Sequence, residues 1–82
     1  INKDAGNVTL FAFDAGARLS EHTAPFDALV FIIDGEARIT IEGRAYAVKE
    51  GGMILMPANR PHALDAVSRF KMLLVMVKGA LK

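Results

Sequence analysis

Turn-forming residues interrupt this 82-residue chain so often that long helices have no room. Glycine or proline recurs at intervals of ten residues or fewer from Gly6 to Pro61. Glycine tolerates positive φ and proline lacks the amide donor, so both interrupt regular structure. The segments between them are short and apolar and show no helical periodicity, which favours β-strands. We therefore predict an all-β protein, a sandwich or a barrel.

Six segments have the β-branched and aromatic composition that is typical of strands. They are residues 8–13, 28–33, 36–42, 44–48, 53–56 and 69–77, with a shorter extended piece at 17–22 and a polar lead-in at 2–7. The last segment is apolar on both faces, which predicts that both of its faces are covered.

Two dipeptides predict hairpins. Asp34-Gly35 separates two apolar runs, and this pair is the strongest short-range hairpin signal because both central residues of a type I′ turn need positive φ. Glu42-Gly43 follows the second run. The pattern predicts three consecutive antiparallel strands in a meander.

Composition excludes several classes of function. Ten Lys and Arg balance nine Asp and Glu, without a basic cluster, so we expect no nucleic-acid partner. The chain has no cysteine, which rules out disulfides, thiolate metal sites and a cysteine nucleophile. It also lacks an apolar run of about 20 residues, so we expect no membrane partner and a cytoplasmic location.

The size of the chain predicts one domain, residues 1–82, and a partner. The first residue is Ile1, so we expect a trimmed piece of a longer polypeptide. The hydrophobic fraction of 52% is high against the usual ~45–50%, and Leu29, Phe31 and Ile33 lie on one face of their predicted strand. A chain this short cannot cover that face alone, so we predict a homodimer.

Two spacings end on the two histidines of the chain. Five residues separate Gly16 from His22, and five separate Gly51 from Pro57, which leads to His62. Together these spacings resemble the two motifs of the cupin superfamily. The first motif contains glycine, five residues and His-x-His, and the second contains glycine, five residues, Pro-x-Gly and, two residues on, histidine. The resemblance covers roughly residues 8–77 and implies a double-stranded β-helix, or jelly-roll barrel, with a site in the barrel mouth.

The chain departs from the motifs at the metal ligands. The second histidine of His-x-His is Ala24, the glutamate of the first motif is Ala28, and the glycine of Pro-x-Gly is Asn59. A full site of the family holds one divalent transition metal with three histidines and a carboxylate. The resemblance therefore implies that His22 and His62 are the metal ligands that this chain retains.

The two alanines favour a roomy, apolar pocket. Alternation along a strand puts Ala24 on the same face as His22, and a methyl group there opens space instead of donating a nitrogen. Met56, a soft thioether, suits copper(I) or plain packing. The predicted pocket residues are His22, Ala24, Ala28, Met56 and His62.

Three hypotheses of function remain open at this point. The first is a single-domain cupin that binds a small molecule beside the two histidines. The second is a metal-dependent enzyme (an isomerase, decarboxylase or dioxygenase) in which one divalent metal polarises a carbonyl or activates water. The third is a ligand-sensing or dimerisation module of a regulator.

Overall fold

A computed structural model of the protein describes residues 2–3 and 6–77, and the side chains discussed below belong to residues 6–77. Within these residues the chain forms strands joined by turns. Their bounds are β1 (Asn2–Lys3), β2 (Gly6–Phe13), β3 (Arg18–His22), β4 (Asp27–Asp34), β5 (Glu36–Ile41), β6 (Arg44–Lys49), β7 (Met53–Met56), β8 (His62–Ala66) and β9 (Phe70–Val77). No helix in this part of the chain is long and apolar enough to cross a membrane.

The strands form two antiparallel sheets that pack face to face. One sheet has the order β1-β2-β9-β4-β7, and the other has the order β3-β8-β5-β6. Strands that follow each other in sequence therefore often lie in different sheets, as in a jelly-roll barrel. The prediction of an all-β jelly roll is confirmed.

The predicted Asp34-Gly35 hairpin is wrong. β4 pairs with β7 and β9, whereas β5 pairs with β6 and β8 in the other sheet. Gly35 has a φ of 82°, but Asp34 does not adopt positive φ, so the dipeptide does not form a type I′ turn. The chain instead turns a corner there and crosses from one sheet to the other.

The turn at Glu42-Gly43 forms the hairpin that the sequence predicts. Glu42 has a φ of 51° and Gly43 a φ of 80°, which is the pair of positive values that a type I′ turn requires. Ile41 pairs with Arg44 directly beside the turn. β5 and β6 are therefore neighbours, and the meander is limited to these two strands.

Two other regions differ from the prediction. β8 was not predicted as a strand, although it lies inside its sheet between β3 and β5. The polar lead-in also contributes strand structure, because β1 pairs with β2 through Asn2–Asn7 and Lys3–Gly6. Both strands are stabilised by pairing with a neighbour more than by their own composition.

The core lies between the two sheets. Val30, Ile32, Ile39 and Phe70 are fully buried there. Each such side chain contributes about 1.5–3 kcal/mol relative to an exposed one. Phe70 also stacks on Phe13, with ring centroids 5.0 Å apart. At the end of the barrel away from Phe70 the inner side chains become alanine, methionine and histidine, and the site lies there.

Candidate functional site

The two histidines are direct neighbours on adjacent strands. His22 is the last residue of β3, His62 is the first of β8, and the two pair in register. A β-bulge between Leu19 and His22 shifts the register. In a regular strand, residues three apart such as Leu19 and His22 would point to opposite faces. The bulge lets the side chains of both Leu19 and His22 line the cavity that is described below.

The loop that precedes His62 is tied to the first residue of β4 and to the segment that leads into it. The amide of Asn59 donates to the carbonyl oxygen of Ala24 at 2.8 Å, and the amide of Ala58 donates to Oδ1 of Asp27 at 2.8 Å. Asn59 has a φ of 63°, the left-handed conformation that asparagine tolerates better than most residues. Asn59 therefore adopts the positive φ at the position where the motif has glycine.

The imidazole rings meet edge to face at the inner surface of the barrel. Their Nε2 atoms are 3.1 Å apart, and their ring planes make an angle of 70°. Nδ1 of His22 lies 2.8 Å from the carbonyl oxygen of Ser20, and Nδ1 of His62 lies 3.2 Å from that of Arg60. His62 is buried, with 7% of its surface exposed, whereas His22 stands at the exposed mouth.

When both imidazoles are neutral, the pair has one proton fewer than its three hydrogen-bond contacts need. A carbonyl oxygen only accepts, so each Nδ1 must carry a proton to bond its carbonyl. Two neutral imidazoles have one N–H each, and both are then used. In this pair of tautomers, the two Nε2 lone pairs face each other at 3.1 Å without a proton between them. A bound donor, a metal ion or an additional proton would satisfy this contact.

Burial favours the neutral form of His62. Desolvation lowers the pKa of His62 below its ordinary value of 6.5, the hydrogen bond to the Arg60 carbonyl partly offsets this, and the neighbouring His22 lowers the pKa further. The unfolded chain then binds a proton near pH 6.5 that the folded protein does not. Stability is therefore expected to fall as the pH drops through that value.

We expect urea unfolding to show a smaller free energy of unfolding at about pH 5 than at about pH 7.5, because of this difference in proton binding. The variant His62→Gln keeps a polar side chain but removes the titrating group, so it is expected to lose part of the pH dependence. An identical pH dependence in both proteins would show that His62 does not contribute.

A cavity of about 90 Å³ opens beside the histidine pair. Its lining is almost entirely apolar, and the polar side chains among the described lining residues are the two histidines. The lining consists of Phe11, Leu19, His22, Ala24, Ala28, Met56, His62, Ala63, Leu64, Met72, Leu74 and Met76. All five residues predicted for the pocket lie around this one cavity, and their role in binding stays a prediction.

Sequence reasoning missed most of the far wall of the cavity. Met72, Leu74 and Met76 come from β9, the partner of β4, and Phe11 comes from β2. A signal was present, since Met72, Leu74 and Met76 alternate on one face of their strand. It did not identify the cavity because both faces of β9 are apolar.

A larger and shallower groove of about 620 Å³ lies elsewhere, between β6 and β7. β7 is one edge strand of the five-stranded sheet, and β6 is one edge strand of the four-stranded sheet. The groove is lined by residues such as Tyr46, Lys49 and Leu55 and contains no histidine. The smaller cavity is the better candidate site because its two polar groups converge at 3.1 Å.

The donor set fits a metal only in part. Both histidines donate Nδ1–H to a backbone carbonyl, which is how metal-binding histidines are usually oriented. Residues 6–77 contain no group of three or more His, Cys, Asp or Glu side chains that could hold a metal ion. Catalytic zinc usually has three protein ligands. The described residues supply two at this place, one fewer than such a site usually has.

Two nearby charged residues have structural partners. Asp27 accepts the amide of Ala58, as described above, so it ties the loop and does not point at the histidines. Arg60 forms an ion pair with Glu42 at 2.7 Å, with both side chains about half exposed. Exposed pairs contribute little to stability. This one keeps the guanidinium on the outer side of the loop.

Comparisons with known proteins agree with the fold. The cupin domain family model matches residues 9–78. A conserved protein of unknown function from Streptococcus pyogenes is 44% identical, with a TM-score of 0.91 over 99% of this chain and 71% of that one. A cupin superfamily protein from Desulfitobacterium hafniense is 31% identical, with a TM-score of 0.89 over 94% of this chain and 71% of that one. An uncharacterized Streptomyces coelicolor protein is 30% identical over 70 residues, which are 85% of this chain and 67% of the relative.

Proposed function

The chain belongs to the cupin domain family, and from this premise we propose that it binds a small molecule in the cavity beside His22 and His62. The ligand has a short apolar body and a head group that donates a hydrogen bond, such as a hydroxyl or an amide N–H. One observation carries this proposal: the two facing Nε2 atoms are the polar end of an otherwise apolar cavity.

The size of the cavity limits the ligand. An apolar cavity of about 150 Å³ accommodates the six carbon atoms of benzene, so in proportion 90 Å³ suits an apolar body of roughly three to four non-hydrogen atoms. Met56, Met72 and Met76 form part of the wall. Methionine side chains adapt their shape readily, so a slightly longer ligand can be accommodated.

The histidines determine the chemistry of the head group. With both Nδ1 protons bonded to carbonyl oxygens, each neutral imidazole offers an Nε2 lone pair and no donor. A hydroxyl supplies the missing proton at this contact. A carboxylate would bring further lone pairs to it and lose its hydration without a donor in return.

Binding can be tested by calorimetry at about pH 7.5, using butan-1-ol and butyramide as donor probes and butanoate as a charged probe of similar size. We expect the two donors to bind with dissociation constants in the millimolar range, about −4 kcal/mol, and butanoate to bind at least about tenfold more weakly. The reason is that only the donors can bond to the paired Nε2 atoms.

Two alanine variants, one in the cavity and one in the groove, test where the donors bind. Ala24→Leu places extra bulk in the cavity and is expected to abolish donor binding. Ala47→Leu adds the same bulk to the groove between β6 and β7 and is expected to leave binding unchanged. Absence of binding by both donors, or equal binding by wild type and Ala24→Leu, would disprove the proposal.

A metal-dependent enzyme is the second candidate, and one observation favours it. The two Nε2 lone pairs converge and each ring is fixed by a carbonyl, as metal-binding histidines are. A metal there would polarise a carbonyl or activate water. Elemental analysis of chelator-free protein distinguishes the two candidates. One stoichiometric metal that is lost in His62→Ala would favour the enzyme.

A further inference from the structure

The groove between β6 and β7 is large enough to hold a ligand of its own. Its volume of about 620 Å³ lies within the range of about 300–1,000 Å³ that is usual for small-molecule sites. Its floor is formed by side chains on the inner faces of β5, β6 and β7, namely Ile41, Tyr46, Val48 and Ile54. The groove shares no lining residue with the histidine cavity, so it is a separate place in the fold.

The two strands give the groove an elongated shape. The turn from Lys49 to Gly52 joins β6 to β7 and lies at one end, where the amide of Gly52 donates to the carbonyl oxygen of Lys49 at 2.8 Å. Pro57, which follows β7, and Glu42, which follows β5, lie at the other end. The extended chain from Met53 to Pro57 spans roughly 13 Å. At about 1.5 Å per bond, an extended chain of about eight carbon atoms with its head group fits this length.

The charges at the two ends of the groove differ. Glu42 forms the ion pair with Arg60, with 2.7 Å between Oε1 and Nη1, so its charge is compensated. Lys49 is exposed, and within the described part of the chain no ion pair joins it to another side chain. Glu50 follows Lys49 in the turn but does not line the groove. The uncompensated charge among the lining residues is therefore positive.

The free edge of β7 adds a backbone donor near Lys49. The amide of Ile32 donates to the carbonyl oxygen of Gly52 at 2.9 Å, and every second residue of β7, beginning with Ile54, continues this ladder to β4. The N–H of Met53 therefore points away from β4, and among the described strands none pairs with β7 on that side. A carboxylate accepts hydrogen bonds from such an amide and from an ammonium group.

We infer that this groove binds a free medium-chain fatty acid, an unbranched carboxylate of about eight carbon atoms. The carboxylate lies at the turn, against the ammonium group of Lys49 and the amide of Met53, and the chain runs over the apolar floor toward Pro57. The carboxylate of Glu42 at the far end disfavours the reverse orientation because like charges repel. The inference concerns a different site from the histidine cavity and does not depend on ligand binding there.

Methionine-methyl NMR titrations locate the ligand, because Met53 lines the groove whereas Met56, Met72 and Met76 line the cavity. At about pH 7.5, where the carboxylate is ionised, octanoate is expected to give saturable shifts of the Met53 methyl group and none of the other three. Butanoate is expected to bind at least about tenfold more weakly because it has less apolar chain to bury. Octylammonium is also expected to bind at least about tenfold more weakly, because the charge of Lys49 repels it.

Two lysine variants test the role of the charge. Lys49→Gln is expected to weaken octanoate binding about threefold to fivefold, the effect of losing one exposed ion pair. Lys71→Gln removes the same charge from an exposed lysine of β9 that does not line the groove, and it is expected to leave binding unchanged. Both positions are exposed, so both variants are expected to keep the circular dichroism of the wild type.

Four results would overturn the inference. Two concern the place of binding: no saturable shift of Met53 with octanoate, or shifts of the cavity methyl groups instead. The other two concern the charge: equal binding of octanoate and octylammonium, or equal binding of octanoate by Lys49→Gln and Lys71→Gln.

Discussion

Replacement of Gly35 by alanine is expected to lower the free energy of unfolding by at least about 3 kcal/mol, a large part of the stability of a small domain. Gly35 has a φ of 82°, which costs an alanine about 1–2 kcal/mol. A Cβ at this position would also overlap the carbonyl oxygen of Arg69 and come within 2.8 Å of Cα of Phe70. These are backbone and core atoms, so they cannot move aside cheaply.

Gly43→Ala is the matched control. Gly43 has nearly the same φ, 80°, but an added Cβ would meet nothing within 4 Å. It is expected to cost only the conformational penalty of about 1–2 kcal/mol. Urea unfolding followed by circular dichroism measures both variants. Equal losses would show that the contact at Gly35 is unimportant and that the corner between the sheets tolerates a side chain.

Ala24→His is expected to convert the histidine pair into a metal site. Ala24 lines the cavity beside His22 and His62, so a third imidazole there completes the three ligands that a metal such as zinc usually requires. We expect the affinity for Co²⁺ or Zn²⁺ to rise at least about 100-fold over wild type. Calorimetry measures the affinity, and the visible spectrum of bound Co²⁺ reports its coordination.

Two further variants show whether the new site uses the pair. Ala45→His places an imidazole on exposed β6, away from the cavity, and is expected to leave the affinity unchanged. Adding His62→Ala to Ala24→His is expected to reverse the gain. If Ala24→His binds no more tightly than Ala45→His, the alanine does not occupy the position of the missing ligand.

The sequence predicts strands well where their composition is typical of strands. It predicts them less well where pairing with neighbouring strands stabilises them. β4, β5, β6 and β7 are β-branched or apolar segments between turn residues, and all four form strands. β8 has alanine or a polar residue at four of its five positions and was missed, because its pairing with β3 and β5 stabilises it more than its own propensity does.

The Asp34-Gly35 corner shows why local turn signals can mislead. The dipeptide has the composition of a hairpin turn, but β4 and β5 find their partners in different sheets. Gly35 is needed there because the chain passes close to Arg69 and Phe70, not because a tight hairpin requires it. Only the topology of the whole chain distinguishes these two uses of glycine.

The spacing of the motifs predicts that His22 and His62 belong to one site, but it does not predict how the two rings are oriented. The two motifs place His22 and His62 in one site, and the structure brings their Nε2 atoms to 3.1 Å. The β-bulge before His22 and the carbonyl bonds to Ser20 and Arg60 are three-dimensional features with no sequence signal of their own. They determine which nitrogen of each ring faces the other.

A methionine-methyl NMR titration with butan-1-ol tests the central claim most directly, because the chain has its own internal control. Met56, Met72 and Met76 line the cavity, whereas Met53 lies outside it, on the groove between β6 and β7. Binding in the cavity is expected to produce saturable shifts of the three cavity methyl groups and none for Met53. Shifts confined to Met53, or no saturable shift at all, would contradict a binding site beside His22 and His62.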